Sequence, residues 1–301
     1  MTDRLLSCGH RVVGIDNFCD FYDQAIKRRN LESAMKHSNF ELVELDIRDR
    51  AAILDAFAKY QPNIVVHLAA MAGIRASIEK PGYYTAVNIG GTVNLLDAAV
   101  VHRTDKFIFA SSSSVYGNNE KVPFAEDDSV DHPISPYAAT KKAGELICHT
   151  YWHVHRLPTA CLRFFTVFGP RQRPDLAICK FLRLIAAGQT IPMFGDGSTS
   201  RDYTFIGDIV AGIFATMDRC DRYRVYNLGG CHPVRLSDMI STIERVTGKT
   251  ASIKQQPMPQ GDVSRTWADL SRSRAELDYN PATTLEDGIG RQWQWMQATT
   301  A

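Results

Sequence analysis

The stretch SPYAATKKAGE, residues 135–145, places a phenol and an amine where the two can act together. Ser135 is a suitable helix N-cap and Pro136 suits the first helical position, so Tyr137 and Lys141 fall at i and i+4, one turn apart on one face. An ammonium beside a phenol favours the phenolate, which makes Tyr137 a candidate base near neutral pH. Alone, the Y-x-x-x-K spacing is a weak signal, because two common residue types at helical spacing arise by chance and most such pairs decorate a surface. A nearby hydroxyl raises it. FIFASSSSVYG, residues 107–117, reads as a strand ending in Ser111–Ser114, where a serine can share a substrate hydroxyl with the phenol. Any single serine there can equally satisfy loop backbone.

Elements must hold these groups. RVVGIDN, FELVELDI, NIVVHLAA and KFIFASSS are short, nearly continuous apolar runs, the pattern of strands covered on both faces. Helical patterns lie between them at roughly 20–36, 49–60 and 81–103, with another at 135–155. Strands alternating with helices predict an α/β fold, a Rossmann-type doubly wound parallel sheet with right-handed crossovers. After PTACLRFFTVFG, Pro and Gly become frequent, and a smaller substrate-binding region is expected over 166–301, interleaved with the last sheet strands. Residues 1–165 form the expected dinucleotide-binding part. The charged run at Lys27–Asn30 reads as a solvated helix face rather than a phosphate clamp.

In an open parallel sheet the ligand sits beyond the carboxyl ends of the strands. Asp16, Asp46, the HLAA segment and the serines after KFIFA all fall there. Asp16 is placed to accept hydrogen bonds from the two ribose hydroxyls of an adenosine and to repel a 2′-phosphate, which favours NAD over NADP. Capping of the following segment is an equally simple role for it.

Composition narrows the remaining classes. The chain has 301 residues, 45% hydrophobic and 22% charged, with Lys+Arg 34 against Asp+Glu 33. That balance gives no footprint for nucleic acid, no apolar run is long enough for a bilayer, and no export signal leads the chain, so a cytoplasmic protein is expected. Seven cysteines (Cys8, Cys19, Cys148, Cys161, Cys179, Cys220 and Cys231) without a C-x-x-C pair argue against a disulfide framework and against a zinc site; they are expected to be reduced and buried.

Taken in order, the strand-end acid, HLAA, SSSSVYG and SPYxxxK resemble the extended short-chain dehydrogenase/reductases, and within them the nucleotide-sugar epimerase and dehydratase family. The resemblance continues through RFFTVFGPRQRPDLA, FGDGSTSRDYTFIGDIV and GDVSRTWADLSRSRAEL and covers nearly the whole chain. It implies that Tyr137 is the catalytic base, that Lys141 holds the nicotinamide ribose and tunes that base, and that Ser112 hydrogen-bonds the reacting hydroxyl, with Ser113 and Ser114 as neighbouring alternatives lining the sugar. It further implies that Asp16 binds the adenosine ribose, that Asp46 contacts adenine, and that Leu68, Ala69 and Ala70 line the cofactor pyrophosphate. For a sugar nucleotide, Arg201 matches the arginine on the diphosphate and Asp262 the acid near the nucleotide ribose. An arginine suits that position because its rigid fork pairs with phosphate oxygens.

Subclass is read from residues that differ. Dehydratases of the family carry an Asp-Glu pair after the first serines, and the decarboxylases a Glu just before V-Y-G; here those places are Ser113 and Ser114. Oxidation and re-reduction at one carbon remain, the chemistry of a 4-epimerase in which hydride passes to bound NAD and returns to the opposite face of the sugar. RFFTVFGPRQRPDLA resembles the UDP-glucuronate 4-epimerase branch, with Thr166 and Arg173 as candidates to receive a C5 carboxylate, although Arg173 can instead pair with Asp175 or with phosphates. Arg171-Gln172 and Met71 depart from that branch. The alternatives are a UDP-galactose/UDP-glucose 4-epimerase, a nucleotide-sugar reductase using NADPH, which Asp16 disfavours, and a non-catalytic nucleotide-sugar-binding homologue. A homodimer is expected through the helices at 81–103 and 135–155, with Val93, Leu96 and Ile147 either at that interface or in the core.

MTDRLLSCGHRVVGIDN reads as the end of a helix, a turn at Gly9 and a strand ending in Asp16. Relatives of the resembled family place a first strand and a glycine-rich phosphate loop about 20 residues before that acid, and G-x-G-x-x-G occurs nowhere in this chain. That strand would lie between RVVGIDN and NIVVHLAA. The expectations are a natural product starting upstream of Met1 and, for the chain as given, weak NAD binding and poor solubility.

Overall fold

The computed structural model describes residues 1–258 and 263–300. Local chemistry sets the ends of its elements. Helix α1 (Thr2–Ser7) ends before Gly9, whose φ of +82° turns the chain into β1 (Val12–Asp16). Asp23 caps α2 (Gln24–Met35) by accepting from Ala25 N, and Asp49 caps α3 (Arg50–Tyr60) by accepting from Ala52 N. These helices lead into β2 (Phe40–Glu44) and β3 (Ile64–His67). The helix expected over 81–103 follows α4 (Ile74–Glu79) and is a continuous run of α5 (Pro81–Thr85), a π-helical segment (Ala86–Gly91) and α6 (Thr92–Val101).

Strand β4 (Lys106–Ser112) ends in a 3-10 turn (Ser113–Tyr116). Ser135 accepts from Ala138 N and Pro136 takes the first position of α7 (Pro136–His155), as the sequence requires. The chain continues through β5 (Thr159–Phe164), β6 (Thr166–Phe168), α8 (Ala177–Ala186), β7 (Thr190–Phe194), β8 (Ser200–Phe205) and α9 (Ile206–Arg219). It closes with β9 (Arg224–Leu228), β10 (Pro233–Arg235), α10 (Leu236–Thr247), β11 (Ser252–Gln256), α11 (Ser271–Leu277) and α12 (Leu285–Thr300).

The chain divides into two compact units, one of residues 1–111, 135–161 and 216–224, the other of 112–134, 162–215 and 225–301. Each is assembled from several stretches, because strands close to one another in sequence are shared out between them. In the first unit β1 pairs in parallel with β2, Val12 opposite Phe40, and β3 pairs in parallel with β4, Ile64 opposite Lys106. Strands β1 and β3 belong to different sheets, a two-stranded one and one ordered β3-β4-β5-β9. No described strand pairs with the second edge of either. The parallel pairing and intervening helices are the expected α/β arrangement.

The first unit is packed around β4. Phe107, Ile108 and Phe109 are buried in succession, as a strand covered on both faces must be. Gly144 of α7 lies on Phe109 so closely that an added Cβ would sit 2.4 Å from its ring. In the second unit, β10-β8-β6 and β11-β7 form separate sheets. Helix α8 presents Ile178, Phe181, Leu182 and Ile185 at helical spacing to Phe168, Phe205, Met239 and Ile243, with Trp293 of α12 packed against the same core.

Two expectations need correction. Four cysteines, Cys148, Cys161, Cys179 and Cys220, are buried, but Cys8 is exposed and Cys19 and Cys231 are half-buried, because they fall in turns rather than on core-facing elements; all seven are free. The run Lys27–Asn30 is not simply solvated: Arg28 holds Glu44 with two hydrogen bonds of 3.1 and 3.0 Å and covers the ring of Phe18 at 4.2 Å. Among the described residues no helix is long and apolar enough to cross a membrane.

Gly144→Ala is expected to destabilise the chain by about 1–3 kcal/mol, the usual range for overpacking. Urea unfolding measures it, and an unchanged midpoint would show that Phe109 yields freely.

Candidate active site

In the first unit, α7 carries Tyr137, Lys141 and Glu145 at successive turns. Tyr137 is half-buried, and its ring meets Tyr84 edge-on at 6.4 Å. Lys141 is buried; its Nζ lies 6.0 Å from the centre of the Tyr137 ring and 5.1 Å from that of Phe109. The amine donates to the carbonyl of Ala110 at 2.7 Å. Burial pushes its pKa down to about 8, against a smaller opposing influence of Cys148 and Cys161. One turn further, the buried Glu145 accepts from Ser111 Oγ at 2.6 Å. Two adjacent residues at the end of β4 are therefore tied to the helix that carries the phenol and amine.

That second tie separates the serines. Ser111 spends its hydroxyl on Glu145, whereas Ser112 Oγ accepts from Ser114 N and donates to Ser114 Oγ, each at 3.1 Å. Ser112 opens the second unit and caps the 3-10 turn that holds Ser113 and Ser114.

The acids at the strand ends are engaged as well. Asp16 is exposed at the end of β1 and accepts from Phe18 N at 2.7 Å, which holds Phe18 at φ +47°. Asp46 accepts from Arg48 Nη2 at 2.7 Å and Nε at 3.0 Å, and from Asn17 Nδ2 at 2.9 Å. The Arg48 hydrogen bond, more than any other influence, pushes the Asp46 carboxyl down to about 2. Beyond β3, Leu68 and Ala69 are exposed and Ala70 is half-buried.

A network missed by pattern reading holds this end of the unit in place. Asn88, buried in the π-helical segment, accepts from Met71 N at 2.8 Å and donates to Met71 O and to Thr140 Oγ1, both at 2.9 Å. Thr92 donates to the Asn88 carbonyl at 2.6 Å and meets His67 Nε2 at 2.9 Å. Burial, reinforced by Lys141, pushes His67 down to about 3 and keeps it neutral. The sequence signal was an asparagine, Asn88, in the mostly apolar run TAVNIGGTVNLL, which also carries Thr85, Thr92 and Asn94.

In the second unit, Thr166 of β6 pairs with Tyr203 of β8, and Arg201 of β8 pairs with Val234 of β10. Arg201 Nη1 donates to Ser200 O at 2.9 Å. Arg173 is held by Asp175 through two hydrogen bonds of 2.8 and 3.0 Å, the alternative its neighbour offered in the sequence. Gln172, where the sequence departs from the UDP-glucuronate branch, has a structural role: it donates to Val167 O and accepts from Cys179 N and Gln292 Nε2. Asp262 lies outside the described residues.

A family model described as GDP-mannose 4,6 dehydratase matches residues 1–292. The chain belongs to the NAD-dependent epimerase/dehydratase family. It is 40% identical over 292 residues to the UDP-glucuronate 4-epimerase of Thermodesulfobacterium geofontis, covering 97% of this chain and 90% of that one. A probable UDP-glucuronate 4-epimerase of Rhizobium meliloti is 39% identical over 311 residues, covering 97% and 91%. Among solved structures of the epimerase/dehydratase family, the UDP-glucuronic acid 4-epimerase of Bacillus cereus, in complex with UDP-glucuronic acid and NAD, matches with a TM-score of 0.93 at 34% identity, covering 99% of this chain and 95% of that one. The Thermotoga maritima UDP-glucose 4-epimerase with UDP-glucose matches at 0.92 and 28%, covering 99% and 94%.

The buried Lys141 gives a pH signature. Its folded-state pKa of about 8 lies below the ordinary 10.5, so between those values the unfolded chain binds the extra proton and stability rises with pH, by roughly 3 kcal/mol in all. Denaturant unfolding at pH 7.5 and 10 should show a rise in the parent chain that is much reduced in Lys141→Met; equal slopes would place the amine in water.

Proposed function

We propose that the protein is a nucleotide-sugar 4-epimerase acting on UDP-glucuronate with NAD. The observation that carries this is the Tyr137–Lys141 pair, with the amine buried, fixed on Ala110 O and 6.0 Å from the phenol ring. Tyr137 takes the proton of the sugar's fourth hydroxyl, and Lys141 supplies the positive charge that favours the phenolate. Ser112 is the proposed partner of the same hydroxyl, since Ser111 is committed to Glu145; Ser113 and Ser114 line the sugar. NAD, when bound, accepts and returns the hydride at the fourth carbon.

Apart from the glycine-rich loop, which this sequence does not contain, the first unit offers groups that suit a dinucleotide. Asp16 presents an exposed carboxylate for ribose hydroxyls, Asp46 and Asn17 are joined as an adenine-side polar pair, and the segment Leu68–Ala70 beyond β3, with Leu68 and Ala69 exposed, is the proposed lining of the pyrophosphate. For the sugar nucleotide, Arg201 takes the diphosphate and Asp262 the nucleotide ribose. Thr166 is the proposed donor to the C5 carboxylate. Arg173 meets that carboxylate only by releasing Asp175, and this pairing favours the second reading, a UDP-galactose/UDP-glucose 4-epimerase. The similarity to UDP-glucuronate 4-epimerases decides our preference for the charged sugar.

Both parts are tested together by following epimerisation of UDP-glucuronate and UDP-galactose. Faster turnover of UDP-glucuronate is expected, with Tyr137→Phe slowing it by about a hundredfold or more. Near parental rates in Tyr137→Phe would remove the base, and a preference for UDP-galactose would remove the carboxylate assignment.

A homodimer is part of the same proposal. Leu96 is buried in the core and Val93 and Ile147 are half-buried, whereas Val101 on α6 and Leu146 and Val154 on α7 are apolar yet more than half exposed, as residues awaiting a second copy would be. Sedimentation equilibrium should give twice the chain mass, and substitution of all three by serine should give the chain mass; a monomeric parent refutes the dimer.

A further inference from the structure

Asp202 is 0% exposed, yet its carboxylate collects donors from two other segments of the second unit. Oδ1 accepts from Gly230 N at 2.6 Å, and Oδ2 accepts from Cys231 N at 3.1 Å and Ala268 N at 2.9 Å. Its own amide donates to Thr266 Oγ1 at 3.0 Å. A carboxylate so far from water is tolerated only when donors surround it, and simple packing gives no reason to bury one.

The surroundings are shaped for this approach. A Cβ on Gly230 would lie 2.7 Å from Tyr203 O and 3.1 Å from Asp202 Oδ1, and one on Gly229 would lie 2.5 Å from the Ala268 Cβ and 3.1 Å from Asp202 Oδ2. The next residue, Cys231, takes a φ of +62°, a conformation that costs a non-glycine residue energy and that the bond to Asp202 helps hold. A glycine pair and a strained residue thus bring two amide donors to one side chain, and Ala268 supplies the third.

The connection to Arg201 runs through Ser200. Thr266 N donates to Ser200 O at 3.1 Å, and the same carbonyl accepts from Arg201 Nη1 at 2.9 Å. Arg201 and Asp202 are consecutive on β8, so their side chains leave the strand on opposite faces. We propose that Asp202 is the positioning residue for a nucleotide diphosphate: without touching the ligand, it locks β8 to loop 229–231 and to residues 266–268, and so fixes the carbonyl that orients the Arg201 guanidinium. This rests on the reading of Arg201 as the diphosphate ligand.

Calorimetric titration of the full chain with UDP tests it through a double-mutant cycle. Asp202→Asn should raise the Kd for UDP by about tenfold, the scale of a charge-assisted hydrogen-bond network disturbed at one member. In an Arg201→Ala background the same change should cost less than about twofold, because the group being positioned is gone. Thr266→Val, which removes the acceptor of the Asp202 amide without burying a new polar atom, should show the same non-additivity with a smaller effect and serves if Asp202→Asn does not fold. Losses that simply add to that of Arg201→Ala, or parental affinity in both variants, overturn the proposal. A parental chain that binds no UDP overturns the underlying reading of Arg201, and this proposal with it, before any substitution is made.

Discussion

A lysine ammonium taken out of water is the constraint from which the first unit follows. Lys141 has one short hydrogen bond, to Ala110 O, and two aromatic rings beside it. The bond has to be kept, because an unpartnered buried charge costs several kcal/mol. Keeping it fixes α7 against the end of β4. Gly144 permits the approach by offering no side chain to Phe109, and Glu145 repeats the attachment through Ser111. The placement of the proposed base and the stability of the fold are therefore maintained by the same contacts in this unit.

Much of this was legible in the sequence, for identifiable reasons. The four apolar runs are indeed strands, β1 to β4, but only β4 is covered as so unbroken an apolar run predicts; β1, β2 and most of β3 are half-buried. Ser135 and Pro136 announced α7 because capping chemistry is local. Tyr137 and Lys141 could be placed together because helical spacing alone does so. What escaped were contacts made by residues distant in the chain. Asn88 reaches Met71 and Thr140, which are 17 and 52 positions away, and nothing local to it says so. The engagement of Ser111 with Glu145, 34 positions on, was equally invisible locally, whereas Ser112 was singled out by the family resemblance alone.

The second unit uses a similar economy with the opposite charge. Its buried carboxylate, Asp202, organises backbone amides rather than a carbonyl, and Arg201, the proposed diphosphate ligand, adjoins it in sequence. The family resemblance of SRDYTF led to Arg201, whose guanidinium suits phosphate, but gave no reason to dwell on the acid beside it. The Arg173–Asp175 pair shows the converse: a nearby opposite charge was visible in the sequence, and its formation leaves Thr166 as the uncommitted part of the carboxylate proposal.

The π-helical segment Ala86–Gly91 carries a consequence for the whole length of chain from Pro81 to Val101. A widened turn holds one residue more than an ordinary one, and each residue of a helix advances the face by about 100°. Removing a single residue there would restore a regular helix and swing either Asn88 away from Met71 or Thr92 away from His67. Length, not only identity, is thus part of what these six positions encode, and the stretch should resist deletions that surface loops of this chain would absorb.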